Sequence, residues 1–96
     1  MTIKLVSIKP SSKATKKYDA VFNIDNKSKT VSFGAKGYSD FTIHKDEVRK
    51  QRYLTRHRAT EDWSNPITPG SLSRYVLWNK TSLRESIADY KWRFNL

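Results

Sequence analysis

Ninety-six residues suffice for one modest hydrophobic core but hardly for a core plus a deep substrate cavity, so a single small basic domain, 1–96, is expected. Three Trp, five Tyr and four Phe are more apolar bulk than a disordered basic tail carries, and the lack of Cys excludes disulfides, thiolate metal sites and thiol chemistry. A net charge of +10 draws the chain toward phosphate polymers and acidic surfaces, and the absence of a long apolar run argues against a signal peptide or a membrane span.

In chain order, Ile3-Lys4-Leu5-Val6-Ser7-Ile8 reads as a first strand ended by Pro10, Ser11 and Ser12. Residues 9–17 then read as a flexible basic connector carrying Lys13, Lys16 and Lys17. Tyr18, Ala20, Phe22 and Ile24 recur with a period of two, which predicts a strand with one buried face. Asp25-Asn26-Lys27-Ser28 has turn chemistry, and Lys29–Phe33 returns as the second arm of a hairpin. Gly34 and Gly37 flank a turn where a Cβ would be unwelcome, and Tyr38, Phe41 and Ile43 lead back toward the core as a further short strand.

Asp46 and Glu47 suit the positive end of a helix running to about Arg58. Its apolar stripe is sparse, with Leu54 and His57 opposite the basic residues and Val48 and Tyr53 at the flanks, so the helix should pack at the surface. Asn65–Gly70, with two prolines, reads as a loop, and Ser71 as the cap of a second helix bearing Leu72, Tyr75 and Val76. Ser82 with Glu85 fits a capping box, followed by the stripe Leu83, Ile87, Tyr90 and Phe94. The predicted fold is α+β: a small N-terminal antiparallel β-hairpin or three-stranded sheet followed by three helices packed on it.

Function is sought first in the cations. Lys45, Arg49, Arg52 and Arg56 are spaced four, three and four apart and line one helix face, with Arg58 just beyond. Such a row suits phosphates along a nucleic-acid backbone, because the guanidinium fork bonds phosphate in two places; nothing in it reads bases, so non-specific binding is expected. The plain alternative is a solvated face. Lys4, Lys9, Lys13, Lys16, Lys17, Lys27 and Lys29 form a second set, which equally serves to discourage edge pairing of strands, and of these Lys13, Lys16 and Lys17 suit a flexible arm that orders on a partner.

Trp63 and Trp78 are expected to close the core where helices meet the sheet. Trp92, between Lys91 and Arg93 and off the apolar stripe, is expected at a partner interface.

Catalysis finds little support. No serine lies in a nucleophile-elbow pattern, and Gly34, Gly37 and Gly70 match neither a P-loop nor a dinucleotide fingerprint, so no cofactor is expected. His44, Asp46, His57 and Glu61 fall short of zinc-site spacing; they leave a metal-dependent nuclease as the minor alternative to a non-enzymatic protein with no metal.

The stretches Val31-Ser32-Phe33-Gly34-Ala35-Lys36-Gly37-Tyr38-Ser39-Asp40-Phe41-Thr42, His44-Lys45-Asp46, Arg52-Tyr53-Leu54-Thr55-Arg56-His57-Arg58, Glu61, Trp63, Gly70–Lys80 and Tyr90–Leu96 carry a resemblance. Together, over roughly residues 16–96, they resemble a family of short, basic, uncharacterised proteins encoded by large double-stranded DNA viruses of algae and amoebae. The resemblance implies a viral setting, in the virion or in the nucleus or cytoplasm of the infected cell. It implies no catalytic residue set. It fits a nucleic-acid-binding role in neutralising packaged DNA, a minor capsid or assembly role against acidic capsid or core proteins, or a host-directed role.

Overall fold

The period of two in Tyr18–Ile24 gives that strand one apolar face, and the topology puts it between two neighbours. The computed structural model describes residues 2–96 and has three antiparallel strands in chain order: β1 (Ile3–Pro10), β2 (Lys16–Ile24) and β3 (Lys27–Ala35). Ala20 pairs with Ile8 and Val31, and Tyr18 pairs with Phe33, so one face gathers the apolar side chains. The β2–β3 turn is tighter than the sequence suggests. Asp25 and Asn26 alone form it, both with positive φ (50° and 69°), the twist that two-residue hairpins need.

β1 contains a feature that alternation cannot express. Its register with β2 skips Val6, which bulges out and is 64% exposed. The extra residue re-phases the strand, so that Ile3, Leu5 and Ile8 all pack on the same core. Residues 9–17, expected as a connector, contribute Lys9 and Pro10 to β1 and Lys16 and Lys17 to β2. The remainder is a hairpin turn in which Ser11 N donates to Lys17 O at 3.0 Å.

The segment expected as a further strand is helical instead. Asp40 caps α1 (Phe41–His44), its carboxylate accepting from the Thr42 amide at 2.9 Å and from the Thr42 hydroxyl, and this local bonding outcompetes strand pairing. Asp46 caps α2 (Glu47–Arg58), accepting from the amides of Val48 and Arg49 at 3.0 and 3.3 Å.

The next helix begins earlier than expected. Thr68, not Ser71, is its cap: Thr68 Oγ1 accepts from the Ser71 amide at 3.1 Å. Pro69 starts α3 (Pro69–Leu72) because the first helical position needs no amide donor. The chain continues as a π-helical turn, Ser73–Leu77, closed by Trp78 N donating to Ser73 O at 3.1 Å. Finally Ser82 caps α4 (Leu83–Phe94), accepting from the Glu85 amide at 3.1 Å.

The core lies between one sheet face and the C-terminal helical segments. Ala20, Phe22, Val31 and Phe33 meet Leu72, Val76, Leu77 and Tyr90, with Leu83, Ile87 and Phe94 packed around them. Tyr90 is fully buried and its hydroxyl donates to Pro66 O at 2.5 Å, pinning the proline loop to α4; burial pushes its pKa well up. No helix among the described residues is long and apolar enough to cross a membrane.

Candidate functional site

α2 is anchored by one buried side chain, Tyr53. Its ring stacks on Trp78 at 4.4 Å and 3°, His57 lies 4.3 Å beyond it, and His44 lies 5.2 Å from Trp78. Four rings thus run His44–Trp78–Tyr53–His57 and tie α1, α2 and the π-turn together. Burial, with the Glu61 carboxylate adding to it, pushes the Tyr53 phenol up to about 12. Trp78 therefore closes the core as expected, whereas Tyr53, expected at a flank, is the anchor.

That anchor decides where the basic row points. At 3.6 residues per turn, Arg49, Arg56 and Arg52 lie about 40°, 60° and 100° round the helix from Tyr53, all on one side of it. The row runs beside the buried ring, not diametrically away from it. It overlooks a cleft of about 660 Å³ bounded by α2, the end of β3 and the α3 turn.

Lys16 and Lys17 enter the cleft from β2. Gly34 makes the approach of β3 possible: its φ is +77°, and a Cβ there would sit 2.9 Å from the Leu77 side chain.

Five cations and two carboxylates, Asp40 and Glu61, line this concavity. Lys17 is not free: its ammonium is bonded to Asp40 at 2.5 Å, with both side chains largely buried. Glu61 faces His57, at 3.8 Å. Arg49, Arg52 and Arg56 are exposed, and no ion pair among the described residues involves them or Lys16. Three guanidiniums and one ammonium are thus gathered with no carboxylate in contact, against one cleft carboxylate, Glu61, that Lys17 does not hold.

The remaining expected residues lie elsewhere. Lys45 is not on the helix face: Asp46 starts α2 after it, and Lys45 ends α1 in the left-handed conformation (φ 54°) with its amide bonded to Phe41 O. Arg58 is exposed at the end of α2, and Lys13 is exposed in the β1–β2 turn; neither lines the cleft. Trp92 is 81% exposed on α4, away from the cleft, beside an exposed Lys91. Arg93 pairs with Asp89 at 3.3 Å and covers the Tyr75 ring. Trp63 is half-buried under the Arg74 guanidinium, 5.5 Å from its ring centre.

The metal-nuclease alternative loses its geometry. His44 Nδ1 accepts from the Asp46 amide at 2.9 Å, while His57 and Glu61 form a second pair beyond the Trp78 and Tyr53 rings. Among the described residues, no three His, Asp or Glu side chains are placed to hold a metal.

Tyr38 and Ile43, expected with Phe41 to lead back toward the core, are instead 74% and 63% exposed, and Tyr38 stands in the lining of the cleft; of the three residues only Phe41 is buried.

Fold and site define a class: a small α+β protein with an open cleft, cationic in excess and walled by one helix. Residues 6–57 match the model of a family of unknown function (DUF5754), more than half of the chain, and the chain belongs to that family. The matched span holds Lys16, Arg49, Arg52 and Arg56 but not the α3–α4 half of the core. No curated protein and no solved structure matches the chain.

Proposed function

We propose that this protein is a non-enzymatic nucleic-acid-binding protein that grips phosphates, without sequence preference, in the Arg49–Arg52–Arg56 and Lys16 cleft. The observation that carries the reading is the gathering of these four cations in one concavity with none of them in an ion pair. Like charges held close repel one another, and a polyanion relieves that repulsion while releasing its own counterions. The row spans about 10 Å along the helix axis. One strand of B-form DNA presents a phosphate roughly every 3.4 Å of axis, so the row can meet two or three.

The resemblance to proteins of large DNA viruses supports a setting in the virion or the infected cell, where packaged DNA needs neutralising. A second reading has one observation in its favour: Trp92, exposed beside Lys91, suits a minor capsid or assembly protein that meets acidic protein surface through α4.

The test is fluorescence anisotropy with labelled oligonucleotides across a salt series. Binding should weaken steeply with salt. The R49E/R52E/R56E variant should lose on the order of 100-fold in affinity while keeping its circular dichroism spectrum and melting temperature, since each changed side chain is exposed. Equal binding by variant and wild type, or none by the wild type at low salt, would refute the reading.

A further inference from the structure

We infer that the cleft takes single-stranded nucleic acid in preference to duplex, with Tyr38 as the platform on which a base stacks. This rests on the nucleic-acid reading above and narrows it.

Two concavities adjoin. The cationic cleft shares Lys17, Tyr38, Ser39 and Asp40 with a shallower groove of about 550 Å³, which Pro10, Tyr18 and Ile43 also line. Tyr38 is the one aromatic side chain that lines both. Five large hydrophobic side chains are strongly exposed in the whole described chain, and two of them, Tyr38 (74%) and Ile43 (63%), stand in this one groove. Gly37, with φ +91° and open space around its Cα, sets the turn that holds Tyr38 outward.

A single strand is itself two-sided, with phosphates along one edge and unpaired bases along the other. The cationic cleft answers the first edge and the aromatic groove the second, because every base has a π-face to stack and stacking is indifferent to sequence.

A duplex fits less well for two reasons. Its bases are already stacked and paired, so Tyr38 and Ile43 would have nothing to cover. A helix reads the major groove by protruding into it, whereas Arg49, Arg52 and Arg56 look into a concavity beside the buried face of α2.

The experiment compares labelled oligodeoxyuridylate and oligouridylate, which differ only in the sugar, each about twelve nucleotides long and so within the span one small domain covers, with a duplex of equal length at one salt concentration. Wild type, Tyr38→Ala and Tyr38→Phe are measured side by side, with thermal melts as the folding control. Expected are single-strand binding roughly tenfold or more tighter than duplex binding, and a loss of about tenfold for Tyr38→Ala on single strands only. Tyr38→Phe, which keeps the ring, should stay within about twofold of wild type. Whichever single strand binds tighter, deoxyribose or ribose, assigns DNA or RNA as the source, and equal binding assigns both.

Equal affinity for single strand and duplex, or a Tyr38→Ala variant indistinguishable from wild type, would overturn the inference and leave the phosphate-binding reading standing. No binding of any form at low salt takes down both.

Discussion

Arg49 and Lys50 are neighbours on one helix with opposite fates. Lys50 turns inward, donates to Asn79 O at 2.8 Å and lies 4.9 Å over the Phe41 ring, while Arg49 faces the cleft with no ion-pair partner. The same division runs through the molecule. Arg74 donates to Trp78 O at 3.1 Å and covers the rings of Trp63 and Tyr75; burial draws its pKa below the usual guanidinium range. Arg93 is held by Asp89 and Tyr75.

Lys50, Arg74 and Arg93 belong to the fold, whereas Arg49, Arg52 and Arg56 are held ready for something else. A net charge of +10 therefore overstates the charge available to a partner, and what separates the two sets is whether the fold itself supplies the acceptors.

The comparison breaks most visibly at Arg74. Arg74→Ala leaves the Trp78 carbonyl without its donor and uncovers two rings. It should destabilise the protein by about 3 kcal/mol, a sum of one charged hydrogen bond and two cation–π contacts. Oligonucleotide affinity per folded molecule should be unchanged. Chemical denaturation and anisotropy on the same sample check both, and a stable Arg74→Ala protein that no longer binds would erase the distinction between the two sets.

Alkaline pH sharpens the boundary at Tyr53, the ring that anchors α2 beside the free row. Its pKa is raised from an ordinary 10.0 to about 12, so the folded state favours the neutral phenol. The resulting stability is complete below about pH 10 and is lost as pH rises through about 12, an effect of up to about 3 kcal/mol. Tyr53→Phe should flatten the fall of stability over that interval, leaving the part due to Tyr90, whose phenol burial also raises. Urea midpoints measured between pH 9 and about 12 report the difference; identical profiles would place the Tyr53 hydroxyl in water.

The smallest effect is expected at Trp92. Its 81% exposure predicts that Trp92→Ala changes stability by less than about 0.5 kcal/mol and leaves oligonucleotide binding intact. A loss of nucleic-acid affinity would extend the binding surface from α2 to α4.

Much of the fold was legible because it is locally encoded. Alternation in Tyr18–Ile24, the helix from about Asp46 to Arg58, the Ser82 cap and the stripe Leu83, Ile87, Tyr90 and Phe94 all appear where the sequence places them, although Asp46 is the cap and not a first-turn residue. The failures have two causes. Val6 leaves the ladder because β1 must bury both Leu5 and Ile8, and residues 38–43 abandon extension once Asp40 finds Thr42 and Lys17. Thr68 takes the cap from Ser71, which is itself buried and bonded to Asp62 O at 3.2 Å. Val6 and the Lys17–Asp40 pair are settled by partners far along the chain, whereas the Asp40 and Thr68 caps are local patterns that compete with equally plausible local alternatives.

The candidate site divides likewise. The spacing of Arg49, Arg52 and Arg56 follows from helical periodicity alone, so the existence of a basic row is a property of the sequence. That Lys45 leaves the row, Lys17 is neutralised, Lys16 joins it from a strand and Tyr38 stands at its edge are decisions of the tertiary structure.

Composition and periodicity determine which residues share a helix or strand face, because that depends only on rise and turn per residue. Which charges remain free depends on distances between atoms far apart in the chain. Only the packing of Tyr53 on Trp78, a residue two helical segments further along the chain, turns the basic row toward the cleft.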